Sequence, residues 1–193
     1  MSLWKLIGLD RAPGRQARDD DFASSAEAMR GVVARLERLP PERARYLALF
    51  AYVLGRVANA DLEITEAETH AMEREIRALG GLEEPEAVLV VEIAKGQHRL
   101  FGSTDSYPIT REFARTATRE QKLQLLQCLY AVSAADATVS GTEESEIRRI
   151  VNELDLSHEE FIATRTACRE HIALLRDAAR ADSPRGDAPR SEP

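Results

Sequence analysis

Four carboxylates recur at a fixed spacing. Residues 57–68 read V-A-N-A-D-L-E-I-T-E-A-E, and residues 132–143, displaced by 75 positions, read V-S-A-A-D-A-T-V-S-G-T-E. In each stretch an Asp is followed by an aliphatic residue three positions later and a Glu seven positions later, which gives Asp61 and Glu68 in one copy and Asp136 and Glu143 in the other. If the copies face each other, these four supply hard oxygen ligands, which select Mg²⁺, Ca²⁺ or Mn²⁺ over zinc or copper. Glu63, Glu66, Glu144 and Glu146 would add negative field. The same residues also make an ordinary helix connection. Short Asx side chains such as Asp61 and Asp136 bond turn backbone. Thr65 and Ser140 stand where helix caps belong, and Glu68 and Glu143 close the capping boxes at the positive helix ends. Ile64 and Val139 then bury beneath the turns.

The spacing excludes an EF-hand. That loop needs oxygen ligands at its first, third and fifth positions and Gly at its sixth. Aligning Ile64 with the loop's aliphatic position puts Val57 first and Leu62 sixth, and the second copy puts Val132, Ala134 and Ala137 at the first, third and sixth positions. Zinc finds no support either: His70, His98, His158 and His171 are scattered, and no Cys pair has ligand spacing. The Glu-x-x-His signature of di-iron bundles is absent. So are a G-x-S-x-G nucleophile elbow and a Gly-rich phosphate loop. Cys128 lies in an apolar helical stretch and reads as an inert packed thiol. Nothing in these patterns marks an enzyme.

The elements that must position these residues are helices. Thr118 with Gln121, Ser157 with Glu160, and Ser24 with Glu27 have capping-box spacing, as do the two repeat copies. Leu47, Phe50, Ala51, Leu54 and Val57 form an apolar stripe, and Ile147, Ile150, Val151 and Leu154 form another. Pro41, Pro85 and Pro108 suit first turns, and Gly80-Gly81 ends a helix. Leu156 ahead of Ser157 can pack on Phe161 as a hydrophobic staple. No alternating pattern bounded by turn signals appears. The expected fold is all-α: a single bundle-like domain of about eight helices. Beyond the connections, Leu54 matches Leu129, Val57 matches Val132, Met72 matches Ile147, Ile76 matches Val151 and Leu79 matches Leu154 at the same offset, so the domain contains two related helix–turn–helix units. Residues 1–22 read as an N-terminal segment and linker, 23–178 as the helical domain and 179–193 as a disordered tail.

The net charge of −7 lacks the basic footprint of a nucleic-acid binder. Only 5% of residues are aromatic, so the core is expected to be mainly aliphatic. Two cysteines, Cys128 and Cys168, fit a reducing cytoplasmic compartment. No apolar run approaches the ~20 residues of a membrane span. Trp4, Leu3, Leu6 and Ile7 are too few for firm membrane attachment, so membrane contact through the N-terminus is not expected.

The stretch S-T-D-S-Y-P-I-T-R-E-F (103–113) resembles the T-D-x-Y-P-F-T-R of the TerB-like tellurite-resistance family. L-D-L-S-H-E-E-F-I-A-T-R (154–165) resembles that family's closing helix, and the two acidic connections resemble its A-D-G-x-[IV]-x-x-x-E. Leu62 and Ala137 stand where the family carries Gly. Related domains occur at the cytoplasmic N-terminal region of DjlA-type co-chaperones, but no H-P-D tripeptide occurs here and no J-domain function follows. The resemblance implies an all-α domain linked to tellurite or chemical-stress resistance, with metal at the acidic positions. It also makes Asp105 and Tyr107 secondary site candidates. A structural account of the same stretch has Asp105 or Ser106 capping the helix that Pro108 begins, with Tyr107 packed. Two functions remain: a divalent-cation module using Asp61, Glu68, Asp136 and Glu143, or a metal-free helical adaptor for a protein partner.

Overall fold

Proline, capping boxes and left-handed residues punctuate the chain into helices. The computed structural model describes residues 30–58, 66–101, 106–133 and 141–181, and side chains within them except at 66–68, 97–101 and 171–181. Residues 30–36 form α1. They are followed by α2 (Pro41–Ala58), α3 (Glu66–Leu79), α4 (Glu84–Phe101), α5 (Tyr107–Thr116), α6 (Arg119–Ser133), α7 (Gly141–Glu153) and α8 (His158–Ala181). No strand occurs among the described residues, so the fold is all-α and bundle-like.

Two capping boxes form as their spacing requires. The Thr118 N–H donates to Gln121 at 2.8 Å and the Gln121 N–H to Thr118 Oγ1 at 3.2 Å. Ser157 and Glu160 repeat the exchange at 2.8 and 3.2 Å. Two helix C-termini use left-handed backbone. Gly81 has φ +62° after α3, and Asp155 has φ +56° after α7. Beyond Asp155 the Leu156 N–H reaches back to the Val151 carbonyl at 3.2 Å, closing a Schellman-type end. Leu156 and Phe161 are both buried, as a staple requires. Gly96 lies inside α4 and does not end it. The boxes expected at Ser24, Thr65 and Ser140 involve cap residues outside the described ones.

The sequence shows a stripe on α2; the structure buries it on every side. Leu47 through Leu54 are all 2% exposed or less. The reason is position: α2 packs on α4, α5, α6 and α7. A helix apolar all round is a core helix, and the run L-A-L-F-A-Y-V-L (47–54) is that sequence. Aromatic residues are few but concentrated, with Tyr46, Phe50 and Phe113 rings 5.8–6.2 Å apart where α2 meets α5. Burying a side chain such as Phe113 contributes about 1.5–3 kcal/mol.

The repeat is visible in the burial pattern. Leu54 and Leu129, Met72 and Ile147, and Ile76 and Val151 are buried pairs, each related by the offset of 75. The two units interlock: α3 packs on α6, and α7 packs on α2. This arrangement brings the end of α2, just before the first acidic connection, against α7, just after the second.

Candidate functional site

Arg56, in the last turn of α2, is the only charged residue in A-Y-V-L-G-R-V-A (51–58). Its side chain is 4% exposed. Such burial requires partners, and α7 and α5 provide them. Arg56 Nε and Nη2 meet Glu146 Oε1 at 2.8 and 2.6 Å. Nη1 donates to Glu153 Oε2 and, at 2.6 Å, to Thr110 Oγ1. The Thr110 hydroxyl in turn donates a hydrogen bond to the Ser106 carbonyl at 3.2 Å. Burial opposes the charge on Arg56, but the Glu153 and Glu146 carboxylates more than offset it and hold the guanidinium pKa above its ordinary value. Glu153 is itself 8% exposed.

This network is one wall of a cleft of about 450 Å³ lined by Arg56, Ser106, Tyr107, Arg111, Arg149, Asn152 and Glu153. Arg111, on α5, spans from the Glu153 carbonyl (3.3 Å) to the Asp155 carboxylate (2.8 Å). Two further cations join it at the end of α7: Lys122 Nζ donates to the Leu154 carbonyl at 3.0 Å and Arg119 Nη1 to the Asp155 carbonyl at 2.7 Å. Cations are favoured there because the helix dipole leaves its last carbonyls negative. Arg149, on the outer face of α7, is 69% exposed and pairs with Glu146 at 3.3 Å.

Tyr107 is 54% exposed at this cleft rather than buried as its sequence context suggested, and is engaged in an interaction of its own. Position explains this: the first turn of α5 leaves the ring beyond the α2–α5 aromatic cluster. Ser106 occupies the N-cap position with αR backbone (φ −83°, ψ −13°) and makes no side-chain cap bond. Its carbonyl instead takes the Thr110 N–H at 3.1 Å and the Thr110 hydroxyl.

The expected metal ligands, and the secondary candidate Asp105, are placed only in part. Asp61, Asp136 and Asp105 lie outside the described residues, and Glu68 stands in the first turn of α3 with its side chain outside them. Glu143, half-buried in the first turn of α7, is engaged in an interaction of its own. Of the four residues expected to add negative field, Glu63 lies outside the described residues and Glu66 has its side chain outside them, while Glu144 and Glu146 are committed elsewhere. Glu144 pairs with Arg148 at 3.0 Å and Arg165 at 3.5 Å, and Glu146 with Arg56 and Arg149. Among the described residues, no group of three or more His, Cys, Asp or Glu is arranged to hold a metal. His70 and His158 are exposed on helix surfaces, as ordinary helix residues are.

Both cysteines are free and buried. Burial pushes the Cys168 thiol pKa up to about 11, and that of fully buried Cys128 further still. Neither has thiolate character. Among the described residues, no helix is long and apolar enough to cross a membrane.

Sequence reasoning missed the arginines. The signal for Arg56 was present, since a lone charge inside a buried run is almost always paired. Its partners, 90 and 97 residues away, carried no such mark.

The architecture defines an all-α domain built on two interlocked helix–turn–helix units, each with an acidic connection. Residues 46–166, from α2 into α8, match the family model described as Tellurite resistance protein TerB. The chain belongs to the TerB family. No curated protein and no solved structure matches it.

Proposed function

We propose that this TerB-family domain is a tellurite- and stress-resistance-associated binding module that takes up a divalent cation through its two acidic connections. The observation that carries this reading is the Arg56–Glu146 contact. It ties α2, two residues before its last residue Ala58, to α7, one turn beyond Glu143. The two repeat copies are thereby joined beside the points where both acidic connections attach. Asp61, Glu68, Asp136 and Glu143 are the ligands, and Mg²⁺, Ca²⁺ or Mn²⁺ the ions their oxygens suit. The module is non-enzymatic and cytoplasmic; two buried free thiols support a reducing compartment.

Thermal unfolding with each ion tests it. At a hundredfold excess over Kd, binding stabilises by about 2.7 kcal/mol, a rise in Tm of roughly 5–10 °C for a domain of this size. Asp61→Ala with Asp136→Ala should abolish the rise. An unchanged Tm in the parent protein at millimolar ion refutes the cation reading.

A metal-free adaptor is the second reading. It is favoured by Glu144 and Glu146, which are each already paired with two arginines, and by the exposed Tyr107 ring. It requires a partner protein and no ion-dependent stability.

A further inference from the structure

Among the described residues, the α5–α7 cleft is lined chiefly by arginines. Three arginines line it against one carboxylate, Glu153, which is spent on Arg56. Two further carboxylates among the described residues pair with these arginines, so each arginine already has an anionic partner. Glu146 is divided between Arg56 and Arg149, and Asp155, 65% exposed, pairs with Arg111.

These rim pairs are displaceable. Arg149 and Arg111 are 69% and 37% exposed, and exposed pairs are weak because water and salt screen them. Arg111 makes both of its contacts through one terminal nitrogen, of a guanidinium that carries five N–H donors. Arg56 is different. It is buried and saturated, so it fixes the wall without itself being available. The first turn of the ten-residue α5 opens onto the cleft through Ser106 and Tyr107, and the last turn of α7 through Asn152 and Glu153, so a positive and a negative helix end both border it.

Size and shape narrow the ligand. A cleft near 450 Å³ falls within the ~300–1,000 Å³ range of small-molecule sites and exceeds what a bare oxyanion fills. Tyr107 offers a half-exposed ring beside the arginines. Aromatic faces stack on flat apolar bodies, and arginine forks match phosphate oxygens. We propose that this cleft binds a small molecule carrying a phosphate-type oxyanion on a flat, apolar body, with Arg111 and Arg149 on the oxyanion and Tyr107 against the body. Free oxyanion and ester share the first contact, and only the ester uses the second.

Calorimetric titration of the full chain with inorganic phosphate, phenyl phosphate and benzyl alcohol separates these contributions. Phenyl phosphate should bind at least tenfold more tightly than inorganic phosphate, and benzyl alcohol should not saturate. Arg149→Glu should weaken phenyl phosphate at least tenfold. Tyr107→Ala should reduce phenyl phosphate to the level of inorganic phosphate while leaving the melting curve unchanged. Raised salt should weaken both anions. Failure of phenyl phosphate to bind at about millimolar concentration overturns the proposal. So does unchanged affinity in Arg149→Glu with an unchanged melting curve, or benzyl alcohol binding as well as phenyl phosphate. None of these outcomes depends on divalent cation, so the cation reading stands or falls separately.

Discussion

Replacing Arg56 with Met should be among the most damaging single changes in the domain, even though Met fills similar space and suits a helix. The size of the loss follows from what remains behind. Glu153, at 8% exposure, would keep a buried carboxylate with its cation gone. Removing one partner of a buried pair costs about 3–5 kcal/mol, because the remaining charge is desolvated and uncompensated. Glu146 suffers less, since it is 22% exposed and retains Arg149. Thr110 keeps its bond to the Ser106 carbonyl. The sum is therefore close to the Glu153 term alone, about 3–5 kcal/mol out of the ~5–15 kcal/mol typical of a whole domain. Urea unfolding should show this as a fall in midpoint with m unchanged. The decisive measurement is the double-mutant cycle. Arg56→Met with Glu153→Met removes both charges together and should recover most of the loss, giving a coupling of about 2–4 kcal/mol. If Arg56→Met costs less than about 1 kcal/mol, or the two losses simply add, the network is not the buried pair described here.

Three further outcomes follow from local geometry. Gly81→Ala should lower stability by about 1–2 kcal/mol, because φ +62° is a left-handed conformation that penalises a Cβ, and that Cβ would also meet the Gln124 side chain at 2.9 Å; an unchanged midpoint in urea would show that the turn relaxes freely. Hydrogen bonding to Arg43 holds the Glu86 carboxyl below its usual 4.5, so its contribution to stability is complete above about pH 4.5 and is lost as pH falls below that value toward the folded pKa. Glu86→Gln should therefore destabilise the domain at pH 7 and flatten the acid limb of its stability profile; parallel acid limbs for the two proteins contradict this. Burial raises the thiol pKa of both cysteines, so native protein should react with a thiol reagent only at the rate of unfolding, and fast labelling of Cys128 in the absence of denaturant would refute the packing.

Features set by neighbours in sequence were legible, and features set by distant pairing were not. The boxes at Thr118–Gln121 and Ser157–Glu160 close within one turn, so spacing alone located them. Gly81 was legible because only its own backbone had to turn. Ser106 holds the N-cap position that the pattern offered it or Asp105, but its αR backbone leaves the side chain without a cap bond, which the local pattern does not reveal. Tyr107 misled for a related reason, since whether an aromatic ring packs depends on what α5 lies against. The stripe on α2 understated its burial because periodicity reports one face, whereas four surrounding helices cover them all. The arginine cleft was hidden because its residues come from three helices, 38 to 97 positions apart. Of the acidic candidates, Glu143 is placed on its helix as its capping position implied, while Asp61, Asp105 and Asp136 lie outside the described residues.

The duplication explains why the cleft occurs on this side of the fold. At the offset of 75, Arg56 matches Ala131, Glu146 matches Ala71 and Glu153 matches Ala78. The two cross-copy faces are therefore chemically unlike. The α6–α3 face has alanine where the α2–α7 face has a buried guanidinium between two carboxylates. Alanine lets helices meet without polar atoms to satisfy. A guanidinium with two carboxylates must be fully bonded, and the remaining partner comes from α5, which packs on both α2 and α7 and contributes Thr110. Once α5 is held there by Thr110, its neighbours Tyr107 and Arg111 are brought to the same wall. The pseudo-equivalent face lacks the charge that would recruit such a wall. A buried ion pair is a poor source of net stability compared with apolar packing; here its retention accords with a structural role, fixing α5 against α7 so that the cleft between them has a defined shape.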